Sequence, residues 1–216
     1  MSTAEALPGA GAQRLPGARA RLPRHARRRQ LLDAARAVFV ASGYHAAAMD
    51  EIAERAGVSK PVLYQHFPSK LELYCALLDV HTQDLVTRVR AALDSTTENE
   101  LRVRRSVQAY VDFVDEDHGA YALVFQSDLR SEPAVRDRVE GSLAECVAAI
   151  AATIAADTGV TSDEAQLLSV GLAGLAEVGA RWWLSSGGSV SKERAVDLLV
   201  TLAWRGLSGA PRRPLP

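Results

Sequence analysis

Along this chain apolar positions recur every three or four residues, and no segment alternates with the two-residue period of a strand. The first stripe, Leu31, Ala35, Val38 and Phe39, predicts a helix from Arg27 to Ser42 that Gly43 stops. A short helix is expected at 49–56, broken by Gly57, and a second runs to Phe67, where Pro68 ends it. Ser69-Lys70-Leu71-Glu72 has the form of a capping box and opens a long helix carrying Leu71, Tyr74, Cys75, Leu78 and Val86. A polar break from Asp94 to Glu100 follows, where Ser95 with Glu98, or Thr97 with Glu100, can cap a helix reaching Glu116. A short segment at 121–126 precedes a helix at 133–156, and Thr161 with Glu164 caps another that reaches Leu184. The loop from Ser185 to Gly188 and a final helix at 191–207 complete an all-α chain.

Composition narrows the class. A hydrophobic share of 48% over 216 residues supports a sizeable core, and the sparse aromatics favour helices over a barrel or sandwich. No run of roughly eighteen apolar residues is free of charge or Gly, which predicts no membrane span. Cys75 and Cys146 lie far apart inside apolar helical patterns, a usage that fits a reduced cytoplasmic protein. The net charge of -1 conceals an asymmetry: residues 1–75 carry a surplus of +5, and residues 76–216 carry -6. A basic front end on an acidic body points to a polyanionic partner. Residues 1–24 hold several arginines, one acid (Glu5) and no helical stripe, so they read as a disordered basic arm.

The decisive pattern lies between Met49 and Phe67. Counting from Met49, apolar residues stand at the fourth, tenth and fifteenth places (Ile52, Val58, Leu63), a small one at the fifth (Ala53) and Gly57 at the ninth. Two short helices that cross steeply need a small side chain at closest approach, and their turn needs the positive φ that glycine adopts cheaply. The apolar trio anchors the pair on the first helix, Ser59 can cap the second, and Pro61 is tolerated in its first turn. This is a helix-turn-helix, with the N-terminal residues of the second helix offered to a major groove.

From Arg27 to about Leu85 the chain resembles the tetracycline-repressor (TetR) family. The likeness rests on Gly43-Tyr44, Met49-Asp50-Glu51-Ile52-Ala53, Ala56-Gly57-Val58-Ser59-Lys60, Leu63-Tyr64-Gln65-His66-Phe67 and Ser69-Lys70. It implies a DNA-binding domain at 25–85, a ligand-binding and dimerisation domain at 86–208, and a loose tail at 209–216. It also implies a homodimeric repressor, released from near-palindromic double-stranded operator DNA by an apolar small-molecule effector. Lys60, Pro61 and Val62 would face base edges, Tyr64 and His66 would contact phosphates, and Lys70 would hold the backbone at the start of the fourth helix. One departure stands out. Ala47 and Ala48 occupy the place where the family carries a capping Thr or Ser, a loss worth about 1 kcal/mol. Asp50 in the first turn of that helix suits its dipole but repels phosphate.

In such a family Tyr110, Phe113, Tyr121, Phe125, Trp182 and Trp183 lie on helices around an effector pocket, and Gln126, Glu177 and Arg181 are polar candidates beside them. The helix at 161–184 is apolar around most of its circumference, and Gly171, Leu175 and Val178, with Leu199, Leu202 and Trp204 on the last helix, fit a four-helix interface between two copies. Asp115-Glu116-Asp117-His118 reads as a solvated turn, so no metal and no cofactor is expected. Neither a nucleophile with its base, nor paired carboxylates, nor a phosphate-cradling glycine loop is evident, so an enzyme is not expected. An architectural DNA-binding protein is the other reading, and a solid core in place of a cavity would favour it.

Overall fold

A computed structural model describes residues 22–116, 129 and 131–206. The expected segment at 121–126, the C-terminal tail and all of the basic arm before Leu22 lie outside the described residues. Within them are eight α-helices and no strand: α1 (Arg24–Ala46), α2 (Met49–Arg55), α3 (Lys60–His66), α4 (Lys70–Asp94), α5 (Asn99–Glu116), α6 (Pro133–Asp157), α7 (Ser162–Ser185) and α8 (Lys192–Arg205). Helices α1 to α3 form the small N-terminal unit, which joins the rest through α4. The second half of the chain packs α4 against α5 and α6, α6 against α7, and α5 and α7 against α8.

The helix ends follow local chemistry. Gly43 adopts φ 73°, which breaks α1 and leaves one further turn carrying Tyr44 and His45. Between α2 and α3, Gly57 has φ 64°; Gly57 N donates to Glu54 O at 2.9 Å and Val58 N to Ala53 O at 3.0 Å. These are the paired bonds of a Schellman ending, which needs a left-handed residue at this position. Thr161 and Glu164 form the full capping box of α7, and Ser69 Oγ accepts from Glu72 N at 3.1 Å. Two expected caps are absent. Ser59 precedes α3 without a side-chain bond, and the turn before α5 is closed by other residues. There Thr96 accepts from Glu98 N, while Arg102 Nε donates back to Leu93 O and Thr96 O.

One apolar core runs through both halves. Tyr74 on α4 meets Phe39 and Tyr44 edge-on, with ring centroids 5.1 and 5.2 Å away. Helix α6 is long and apolar enough to cross a membrane by length and composition alone, yet here it lies between α4 and α7 with Cys146 and Val147 buried. Gly179 marks the closest approach of α7 to α8, where an added Cβ would stand 2.5 Å from Leu199 Cδ2.

The start of α4 is tied to the end of α1 by Lys70. Its ammonium donates to Tyr44 O at 2.8 Å, Ala47 O at 2.9 Å and His45 O at 3.2 Å, and lies 4.5 Å from the Tyr44 ring centroid. Those carbonyls would otherwise be left over where α1 breaks. Replacing Lys70 with Met removes all three bonds, and urea unfolding should register a loss of about 1–3 kcal/mol.

Candidate nucleic-acid interface and effector cavity

Helix α3 is short and its hold on the protein comes from one side. Leu63 is fully buried with Ile52 and Ala53, and Phe67 closes the far end under the Arg28 guanidinium, 4.8 Å above its ring. The opposite side carries Lys60, Pro61, Tyr64 and Gln65 in solvent, with Val62 and His66 half-buried. Five of the six expected contact residues therefore lie on α3 within one exposed or half-exposed surface. Gln65 shares it and was missed, because the motif quotes it without a role.

Charge adds detail to this surface. Lys60 Nζ pairs with Asp50 Oδ1 at 2.8 Å, and the hydrogen bond raises the ammonium pKa above its ordinary value. Both partners are solvated, so a phosphate or base edge can exchange for the carboxylate. Burial lowers the pKa of His66, and Arg24, Arg27 and Arg28 at the start of α1 lower it further. Those arginines sit far from His66 in sequence, and the bend of the chain makes them its neighbours. The shift favours the neutral imidazole beside a cluster of cationic side chains.

Two further features concern the backbone of the motif. Lys70, expected to hold the DNA backbone, here directs its ammonium protons to three carbonyl oxygens and shapes the backbone of the motif. The side-chain cap at Ala47–Ala48 is absent as expected, since Ala48 precedes α2 with no side-chain hydrogen bond.

In the other half, α4, α5, α6, α7 and the end of α8 enclose a cavity of about 340 Å³. Val89 and Leu93 of α4, Val107 and Tyr110 of α5, and Cys146 and Ile150 of α6 form much of its wall. The Cys146 thiol is pushed up to about 11, chiefly by burial, with Glu145 raising it and Arg90 opposing. Polar residues gather at one end, where Asn99, Arg102, Asp157 and Thr158 meet. The core is not solid, which removes the support that the architectural reading required.

The aromatics divide differently from expectation. Tyr110 lines the cavity as expected, whereas Phe113 is packed in the core. Trp183 is buried and its Nε1 donates to Val190 O at 2.9 Å, which pins the loop before α8. Trp182 is 60% exposed and belongs to an outward stripe with Leu167, Val170, Gly171 and Val178. Trp204, expected at an interface, borders the cavity at the end of α8 and stays 45% exposed. Leu199 packs on Gly179 of its own chain, Leu175 is half-buried and Leu202 is exposed. Tyr121, Phe125 and Gln126 lie outside the described residues. Glu177 and Arg181, one turn apart on α7, are absent from the cavity wall. Asp112 and Asp115 both pair with Lys192, at 2.6 and 2.9 Å, and fasten α5 to the start of α8.

Comparison with known proteins agrees with this arrangement. Residues 31–77 match the family model described as bacterial regulatory proteins, tetR family. The chain is 49% identical over 191 residues to the HTH-type transcriptional activator FasR of Mycolicibacterium smegmatis, covering 88% of this chain and 87% of the relative. A TetR-like transcriptional regulator from Rhodococcus sp. RHA1 superposes with a TM-score of 0.69 at 32% identity, covering 88% of this chain and 100% of that one. FadR from Bacillus subtilis, solved in complex with stearoyl-CoA, shares the fold with a TM-score of 0.70 at 18% identity, over 83% of this chain and 98% of that one. The chain belongs to the TetR family of bacterial DNA-binding transcriptional regulators.

Proposed function

We propose that this regulator grips a near-palindromic operator as a homodimer in the cytoplasm and changes its grip when an apolar small molecule fills the cavity. The observation that carries this reading is the position of α4. Val89 and Leu93 form part of the cavity wall, and the same rigid helix begins at Lys70 and Tyr74, which hold α1 and the helix-turn-helix. A ligand that displaces the wall tilts the helix, and the tilt changes the spacing of two recognition helices across the dimer. The stearoyl-CoA bound by the Bacillus subtilis protein supports a long apolar effector for this fold. For the sign of regulation, the half-identical FasR relative favours activation over the repression expected from the family at large. A reporter behind the native promoter separates the two, since deletion of the regulator lowers expression in one case and raises it in the other.

Lys60, Pro61, Val62, Tyr64 and His66 form the DNA-contacting set in this reading. Lys60→Ala and Tyr64→Ala should each weaken operator binding by about tenfold to a hundredfold with unchanged melting temperature. Equal affinity of both variants in a gel-shift titration would remove α3 as the reading helix.

The outward stripe of α7, with Leu198 and Leu202 of α8, is the face assigned to the second copy. Gly171 and Gly174 lie along it with nothing within 4 Å, which leaves room for a helix of the partner to approach. Val178→Asp should give a folded monomer in sedimentation that binds operator poorly. A wild-type monomer at micromolar concentration would end the dimer reading.

Cys146 reports on the cavity. With its pKa near 11, its thiolate fraction at pH 8 is about a hundredfold below that of an ordinary thiol. Its alkylation in the native protein should be slow by that factor, accelerate on unfolding, and slow further when an apolar ligand is bound. Native labelling as fast as in urea would mean that the thiol does not line a closed cavity.

A further inference from the structure

On the outer side of the helix-turn-helix an acid of one helix meets a base of the next. Asp50 stands in the first turn of α2, Lys60 opens α3, and the turn at Gly57 brings Nζ within 2.8 Å of Oδ1. The two side chains are 66% and 56% exposed, so the pair is presented to whatever docks on this face. The hydrogen bond to Asp50 is the chief cause of the raised Lys60 pKa, and Tyr64 adds to it, which places the exposed phenol beside the pair.

A carboxylate at this place has a definite cost and a definite use. Beside a polyanion it repels, and a Lys60 that exchanges it for a phosphate strands it there without a donor. The donors that a duplex can offer it in the major groove are the exocyclic amino groups, N4 of cytosine and N6 of adenine. An ammonium has three N–H donors and a carboxylate several acceptor sites, so both can bind a base edge without leaving each other. The pair thus presents donors and acceptors side by side, one hydrogen-bond length apart. Guanine O6 and cytosine N4 stand at the same kind of separation, because they are hydrogen-bonded within their base pair. Across G·C the groove shows acceptor, acceptor, donor (N7, O6, N4), and across A·T it shows acceptor, donor, acceptor. With the ammonium on N7 and O6 and the carboxylate on N4, every group of the G·C edge is matched. At A·T the same pair leaves one acceptor unmatched.

We infer that Lys60 and Asp50 together read one G·C base pair in the major groove, with guanine toward Lys60 and cytosine toward Asp50. This rests on α3 being the reading helix and adds to it an acid of α2. Asp50 is a specificity-determining residue in three ways. It holds the ammonium toward the base edge, it rewards one orientation of one base pair through cytosine N4, and its charge lowers the affinity for every sequence that lacks that donor.

The test uses the full-length protein and repeated selection from a pool of randomised duplexes, followed by titration with the selected duplex and with the unselected pool. The wild type should enrich a G·C pair at one position of each half-site. Lys60→Ala and Asp50→Ala should both lose the preference at that position and keep it elsewhere. Asp50→Ala should also tighten binding to the unselected pool, because an acid has gone, and lower the ratio of selected to unselected affinity by about tenfold or more. A base profile and a ratio unchanged by Asp50→Ala overturn the inference, and Lys60 still stands as a reader if its own variant alters the profile. Loss of preference at different positions in the two variants, or at an A·T pair, overturns it as well. Should Asp50→Ala fail to fold, Asp50→Asn decides, since the amide keeps the shape and brings a donor beside its acceptor. The preference for G·C over A·T should then fall, and an unchanged preference refutes the joint reading. If the wild type enriches no sequence at all, α3 as the reading helix falls together with this inference.

Discussion

Everything in this molecule depends on α4 serving both halves of one apolar core. Its first turns carry Lys70 and Tyr74, which hold the broken end of α1, and its later turns bury Leu85, Val86 and Val89 in the second half. A close-packed interior transmits displacement because it has few voids into which a side chain can relax. Val89 and Leu93 near the far end of α4 line the cavity, and the same continuous helix carries Lys70 at its start. The ion pairs between α4 and its neighbours, Arg138 with Asp79 and Arg90 with Glu145, are partly or fully solvated and contribute less to this rigidity than the apolar contacts do.

The helix-turn-helix shows how a local deficit is met from a distance. Helix α2 begins at Ala48 without a side-chain cap, and Ser59 gives none to α3. The acids Asp50 and Glu51 in the first turn of α2 answer its dipole, and Lys70 gathers the loose carbonyls of the preceding segment. What remains is the turn at Gly57, where the backbone conformation itself is the requirement; an added Cβ would meet no atom within 4 Å, so only its strain excludes it. The motif is thus held by one glycine, one lysine and a small apolar anchor, which leaves the outer face of α3 to the partner.

The second half is built on the opposite economy, with polar groups kept to its ends and outside. Lys192 with Asp112 and Asp115 closes one end near the start of α8, and the Arg102 group closes the other. Between them the helix-borne hydroxyls of Thr153 and Ser169 bond to carbonyls of their own helix, at Ala149 and Ala165. The space between the helices is therefore mostly apolar, with its charged groups gathered at one rim.

Much of this was legible in the chain itself. Helix positions, the Gly43 and Gly57 breaks, the Thr161–Glu164 cap and the extent of α3 follow from bonds within a few residues, which local sequence determines. Even one correction was within reach: adjacent helical residues point about 100° apart, so Trp182 and Trp183 could not both face a pocket. Their roles were decided by which face other helices cover. The inward stripe of Ala165, Ser169, Ala176 and Ala180 takes Trp183, and Trp182 is left outside. Trp204 looked like an interface residue on an apolar helix, and the fold carried it over a cavity because α8 ends where α5 begins. The proximity of Arg24, Arg27 and Arg28 to His66, and of Arg102 to Asp157, had no local signal at all. Sequence sets the period of each helix and where it stops, through hydrogen bonds that span four residues. Only packing among helices distant in the chain sets which side of each is buried, what lies across from it, and where a gap between them is left.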